Sequence, residues 1–104
     1  MSTIELGAEN FESVVSENDI VLVDFWAAWC GPCRQFAPVF ERVSAAHPDI
    51  VFGKVDTEAG LALSQAAQIT SIPTQMAFKG GSLVCSQAGA RPAAAVEDLV
   101  GALR

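Results

Sequence analysis

Two cysteines separated by two residues, in Trp29-Cys30-Gly31-Pro32-Cys33, are the residues of this chain whose types and spacing can do chemistry. Such a pair closes a four-residue disulfide ring with little backbone movement. Opened, it offers one thiol to attack another disulfide and a second to finish the exchange. Before the pair lies Ile20-Val21-Leu22-Val23-Asp24-Phe25-Trp26, an apolar run with one carboxylate inside it. After it comes a helical pattern. The pair therefore sits at a strand-to-helix junction, where free amides and the helix dipole favour a negative charge. Cys30, at the helix start, is the expected nucleophile. Thiols so placed titrate at about 3.5–7.5 instead of about 8.5. Cys33, one turn in, is expected to be more buried and to resolve the mixed disulfide formed on Cys30. The competing chemistry is metal binding. Structural zinc takes about four ligands, and the other candidates, Cys85 and His47, are single and far off in sequence. No metal site is expected.

The positioning elements follow from hydrophobic spacing. Ser2 to Leu6 reads as a short edge strand. Phe11, Val14 and Val15 have helical spacing and place a helix from Ala8 to Glu17. The apolar run forms a strand from Ile20 to Ala27. Phe36, Val39, Phe40 and Val43 fall on one face of a helix that runs from the cysteines to Ala46, with His47-Pro48-Asp49 as its stop. Pro38 lies inside it and is expected to kink it. Ile50, Val51, Phe52 and Val55 mark the next strand, and Leu61 to Gln68 an alanine-rich helix. Thr74 to Phe78 and Leu83 to Gln87 form a hairpin around Lys79-Gly80-Gly81-Ser82. Cys85 is expected to share a strand face with Leu83 as a small apolar residue. Pro92 opens a last helix whose buried stripe is Val96, Leu99, Val100 and Leu103. The order β-α-β-α-β-α-β-β-α gives parallel crossovers early and an antiparallel pair late. The expected class is α/β: a mixed five-stranded central sheet flanked by four helices.

Size and charge narrow the function. The 104 residues, 51% hydrophobic, suit a single domain over residues 1–104 and exclude a disordered chain. The apolar runs are far shorter than the roughly 18 residues of a membrane span. Net charge is -6, and the six basic residues are scattered (Arg34, Arg42, Lys54, Lys79, Arg91, Arg104). Neither nucleic acid nor membrane is an expected partner. Met1 to Leu6 lacks a basic and then apolar leader, so a cytoplasmic protein is expected. Three cysteines are too few, and odd, for a secreted disulfide scaffold.

Asp24-Phe25-Trp26-Ala27-x-Trp29-Cys30-Gly31-Pro32-Cys33 resembles the active-site segment of the thioredoxin family. Ala37-Pro38, Lys54, Ile72-Pro73-Thr74, Phe78-Lys79-x-Gly81 and Gly89-Ala90 match further family segments in order, so the resemblance spans nearly the whole chain. It implies the thioredoxin fold and a thiol–disulfide oxidoreductase that reduces protein disulfides through Cys30 and Cys33. It implies a monomer with no bound cofactor. Electrons would come from a thioredoxin reductase fed by NADPH, and the clients would be disulfide-containing proteins.

The resemblance also assigns roles. Asp24 would be buried beneath the cysteines, its pKa raised by desolvation, exchanging a proton with Cys33. Lys54 would lie near Asp24 and modulate its charge. Pro73 would follow a cis peptide bond, against the roughly 5–6% frequency of cis X-Pro bonds. The backbone of Ile72 would then hydrogen-bond a client strand. Trp29, Gly31, Pro32, Ile72, Pro73, Gly89 and Ala90 would form the docking surface, with Gly89 admitting a partner's backbone. Gly-Pro between the cysteines favours a reductant. Departures from the family pattern are Ala28 and Arg34 beside the motif, Ser71 before Ile72-Pro73, and Gln75 in an otherwise apolar strand. Two other readings fit the same residues: a binding subunit that lends its apolar rim to one partner, and an oxidase or isomerase on the same fold.

Overall fold

The strand β2 (Ile20–Trp26) has six fully or nearly fully buried residues in a row. A run buried on successive residues, apolar but for Asp24, belongs to a strand covered on both faces, and it occupies the centre of the sheet. The structure, a computed structural model, describes residues 2–104. Met1, which opens the N-terminal segment discussed above, lies outside them. The other elements in chain order are β1 (Thr3–Glu5) and α1 (Phe11–Glu17) before β2. After it come α2 (Gly31–Ala46), β3 (Val51–Asp56), α3 (Leu61–Ala66), β4 (Thr74–Lys79), β5 (Ser82–Ala88) and α4 (Ala93–Leu103). The sheet order is β1-β3-β2-β4-β5. β3 runs parallel to β1 and β2, whereas β4 is antiparallel to β2 and β5. The mixed five-stranded sheet with four helices is the architecture read from the sequence.

Alternation along β2 divides the core. Ile20 and Leu22 face α2 and α4, packing with Phe36, Phe40, Val43, Phe52, Val96 and Val100. Val21, Val23 and Phe25 face the other way, onto Val15 of α1, Leu6, Val55 and Met76. Phe40 stands edge-on to Phe52 with centroids 5.3 Å apart, a favoured aromatic geometry. By the same alternation Asp24 and Trp26 fall on the α2 side, with Leu22.

Several boundaries differ from the sequence reading. α1 starts at Phe11, not Ala8, because Gly7 to Asn10 form a turn. Asn10 Oδ1 accepts from the Gly7 N–H at 2.8 Å, and Asn10 Nδ2 donates to the Glu5 carbonyl at 3.1 Å. α3 ends at Ala66, two residues before Gln68, whose φ of 60° is incompatible with continuing the helix. α2, by contrast, runs through Pro38 to Ala46, the end read from the sequence. The hairpin loop is only Gly80-Gly81, both at positive φ, as tight two-residue hairpins require.

Cys85 does not share a face with Leu83. The pairing Ala77↔Cys85 is followed by Phe78↔Leu83, so one extra residue is accommodated in β5. This bulge breaks the alternation. Leu83 and Val84 are left exposed, while Cys85 packs half-buried against the α2/α4 core.

Candidate active site

The C-terminal end of β2 feeds the short turn Ala27 to Trp29, and Cys30 caps the N-terminus of α2. Its sulfur accepts a hydrogen bond from the Cys33 N–H at 3.2 Å. This is the side-chain acceptor that helix starts favour, here a sulfur where serine or aspartate is usual. Gly31 and Pro32 fill the first turn, where a missing N–H costs nothing. Cys30 and Cys33 are joined by a disulfide, their Cα atoms 5.2 Å apart. Cys33 is the more buried, at 2% exposure against 4% for Cys30. In this closed form both sulfurs are largely covered by Ala27, Trp26 and Ile72. The Cys30 sulfur lies 3.8 Å from the Ile72 carbonyl oxygen.

Ile72 and Pro73 come from the loop before β4, and the bond between them is cis. Ile72 is half-buried against the cysteines, and Pro73 is fully buried. Pro73, expected on the exposed docking surface, is therefore covered by its neighbours. Its carbonyl accepts from the Gly89 N–H at 2.7 Å, which brings the β5–α4 loop beside the Ile72 loop. Gly89 has a φ of 98°, open only to glycine without strain. Trp29, Pro32, Gly89 and Ala90 are exposed and Gly31 is half-buried. The structure therefore gathers the residues expected to form the docking surface from three separate segments around one disulfide.

Asp24 is fully buried, and neither carboxylate oxygen has a hydrogen-bond partner among the described residues. Its cross-strand neighbours are Lys54 on β3 and Gln75 on β4. Burial disfavours its charge and pushes its pKa up to about 7, against the pull of Lys54, which lowers it. The Lys54 ammonium sits 5.0 Å from the centroid of the Trp26 ring, within cation–π range. Replacing Lys54 with methionine removes the one charge that favours the Asp24 carboxylate. The Asp24 midpoint is expected to rise further, by about one unit. Carboxyl 13C titration by NMR reads this directly, and an unchanged midpoint would show that the two groups do not interact.

One neighbour of the cysteine turn escaped the sequence reading. The indole N–H of Trp29 donates to Glu58 Oε2 at 2.6 Å, holding a side chain that is 65% exposed. The two residues are 29 apart in sequence, and an acidic residue after a strand carries no signal of such a contact. Beside this pair an open groove of about 540 Å³ runs between Leu61 of α3 and the segment Ile69 to Ile72. Among the described residues no group of three or more His, Cys, Asp or Glu could hold a metal ion. No described helix is long and apolar enough to cross a membrane.

Comparison with known proteins agrees with this geometry. The family model described as Thioredoxin matches residues 2–102. A protein of Streptomyces coelicolor described as a thioredoxin 2 is 54% identical over 103 residues, covering 99% of this chain and 77% of that protein. A bifunctional thioredoxin reductase/thioredoxin of Mycobacterium leprae is 41% identical over 96 residues, 90% of this chain and 21% of that protein. Among solved structures, the thioredoxin of Plasmodium falciparum superposes with a TM-score of 0.88. It is 37% identical and covers 96% of this chain and 97% of that one.

Proposed function

The chain belongs to the thioredoxin family and is a dithiol–disulfide oxidoreductase with Cys30 and Cys33 as its redox pair, and we propose that it works as a reductant of protein disulfides. The observation that carries this reading is the placement of Cys30. Its sulfur caps a helix, receives the Cys33 amide, and adjoins the Ile72 backbone.

In the reduced protein, the Cys30 thiolate attacks one sulfur of a client disulfide. A bond forms between Cys30 and the client, and the client's other sulfur leaves as a thiolate and takes a proton. The helix N-terminus stabilises the attacking thiolate. Cys33 then loses its proton to the Asp24 carboxylate and attacks the Cys30 sulfur. The second client sulfur leaves and is protonated. Two electrons have passed to the client, and the Cys30–Cys33 disulfide remains. A carboxylate titrating near 7 suits this step, since it can both take and return a proton at neutral pH. Lys54 tunes that value.

The docking surface is Trp29, Gly31, Pro32, Ile72, Gly89 and Ala90, with Pro73 as its floor. The backbone of Ile72, beside the Cys30 sulfur, aligns an extended client segment with the disulfide. Electrons come from a thioredoxin reductase that consumes NADPH, in keeping with the fused reductase of the Mycobacterium leprae relative. The reading carries with it a single domain acting as a monomer in a reducing cytoplasm, with no cofactor of its own and no nucleic-acid partner.

The test is insulin disulfide reduction coupled to NADPH and a thioredoxin reductase. NADPH consumption that requires this protein is expected. Turnover with dithiothreitol but not with the reductase would overturn the proposed donor and keep the chemistry. Failure with both donors would overturn the reductase reading and favour the binding-subunit alternative.

A further inference from the structure

Gln75 is a polar side chain where an apolar one would pack. It lies on β4, is 3% exposed, and pairs across strands with Asp24 on β2 and Gln87 on β5. Cross-strand neighbours of an antiparallel pair have Cβ atoms about 4.5–5.5 Å apart on the same face. The Gln75 amide is therefore within reach of a buried carboxylate that lacks any partner among the described residues. It does not go there. Its Nε2 donates instead to the Gly89 carbonyl at 3.1 Å.

Gly89 is thus tied at both of its backbone groups. Its N–H donates to the Pro73 carbonyl and its carbonyl accepts from Gln75, so both ties end at the start of one strand. Gln75 also lines an open pocket of about 220 Å³, together with Leu22, Val96, Leu99 and the residues Gln87 and Arg91 that flank the rim in sequence. Gly89 and Ala90 are exposed and carry no side chain larger than a methyl group, so hydrogen bonds to the backbone are what tie the rim down. A buried amide is well suited, because in a low-dielectric site its bond is stronger than in water.

We propose that Gln75 is a positioning residue for client binding: its buried amide holds the Gly89 carbonyl and fixes the exposed Gly89-Ala90 rim against Ile72-Pro73 and the cysteine pair. This deepens the docking surface proposed above and rests on that reading. Gln75 touches no reacting atom. Its effect should appear with large clients that span the rim and vanish with a small disulfide that reaches Cys30 alone.

The experiment compares the intact protein with Gln75→Leu and Gln75→Met, two apolar replacements of similar size. The KM for insulin is expected to rise about three- to tenfold, the loss of one hydrogen bond's net contribution, with kcat within about twofold. The second-order rate of the reduced protein with 5,5′-dithiobis(2-nitrobenzoate) should stay within about twofold, since that disulfide needs no rim. Hydrogen exchange at the Gly89 amide should be about tenfold faster in both variants. An unchanged KM would overturn the proposal. So would equal losses with insulin and the small disulfide, or unchanged Gly89 exchange. If the leucine variant does not fold, the unbranched methionine variant carries the same comparison. A wild-type protein that fails to reduce insulin would sink the docking reading, while Gly89 exchange would still decide whether Gln75 clamps the loop.

Discussion

Cys33→Ser is expected to end catalytic turnover and leave client proteins covalently joined to Cys30. The first attack needs only Cys30 and its helix cap, both intact in the variant. The second attack has no thiol to make it, so the mixed disulfide persists. Cys85 cannot substitute, because it packs against the core from β5. Cys30→Ser should lose turnover equally, by at least about a thousandfold, and form no adducts. Non-reducing electrophoresis of both variants after exposure to a cell extract separates the roles. Adducts on the Cys30→Ser protein, or none on the Cys33→Ser protein, would reverse the assignment of nucleophile and resolver.

Asp24→Asn should slow the protein and stabilise it, and both effects should depend on pH. Burial pushes the carboxyl pKa of the folded protein up to about 7, against the ordinary 3.8 of the unfolded chain. Its folded pKa is raised, so its contribution to stability is full below about 4 and is lost as pH rises to about 7. Asparagine does not titrate. The stability difference between variant and wild type should therefore grow by about 4 kcal/mol between pH 3 and pH 8, at about 1.36 kcal/mol per unit. The fixed cost of burying an amide cancels in that comparison. Urea unfolding of both oxidised proteins across this range measures it, and a difference that stays constant with pH would mean that Asp24 is not buried as a neutral acid. Activity should fall at pH 7 by up to about a hundredfold, the low end of what a positioned base contributes. The deficit should narrow above about pH 9, where a thiol ionises without help.

The nature of the site was legible in the chain itself. Cys30 and Cys33 are local to one turn, and the segments that flank them announce a strand and a helix by apolar spacing alone. Local hydrogen-bond geometry then suffices to cap α2 with the Cys30 sulfur. The five strands and four helices were readable for the same reason, since periods of two and 3.6 report which faces are buried. Boundaries were less so, because short-range side-chain bonds decide them, as Asn10 does for α1.

Composition, the spacing of two cysteines and the run of apolar residues determined the fold class and the redox chemistry of this protein. Tertiary structure alone decided what surrounds the sulfurs. Ile72 packs on the cysteines, Glu58 holds Trp29, and Gln75, on the same stretch as Ile72, holds Gly89; strand pairing and chain crossings bring these three segments to one end of the sheet. The β5 bulge that parts Cys85 from Leu83 depends on pairing with β4, so alternation along β5 alone could not reveal it. The charge state of Asp24 is likewise a property of packing. An aspartate titrates near 4 until neighbouring strands and α2 remove its water, and the energy of that removal sets its value near 7.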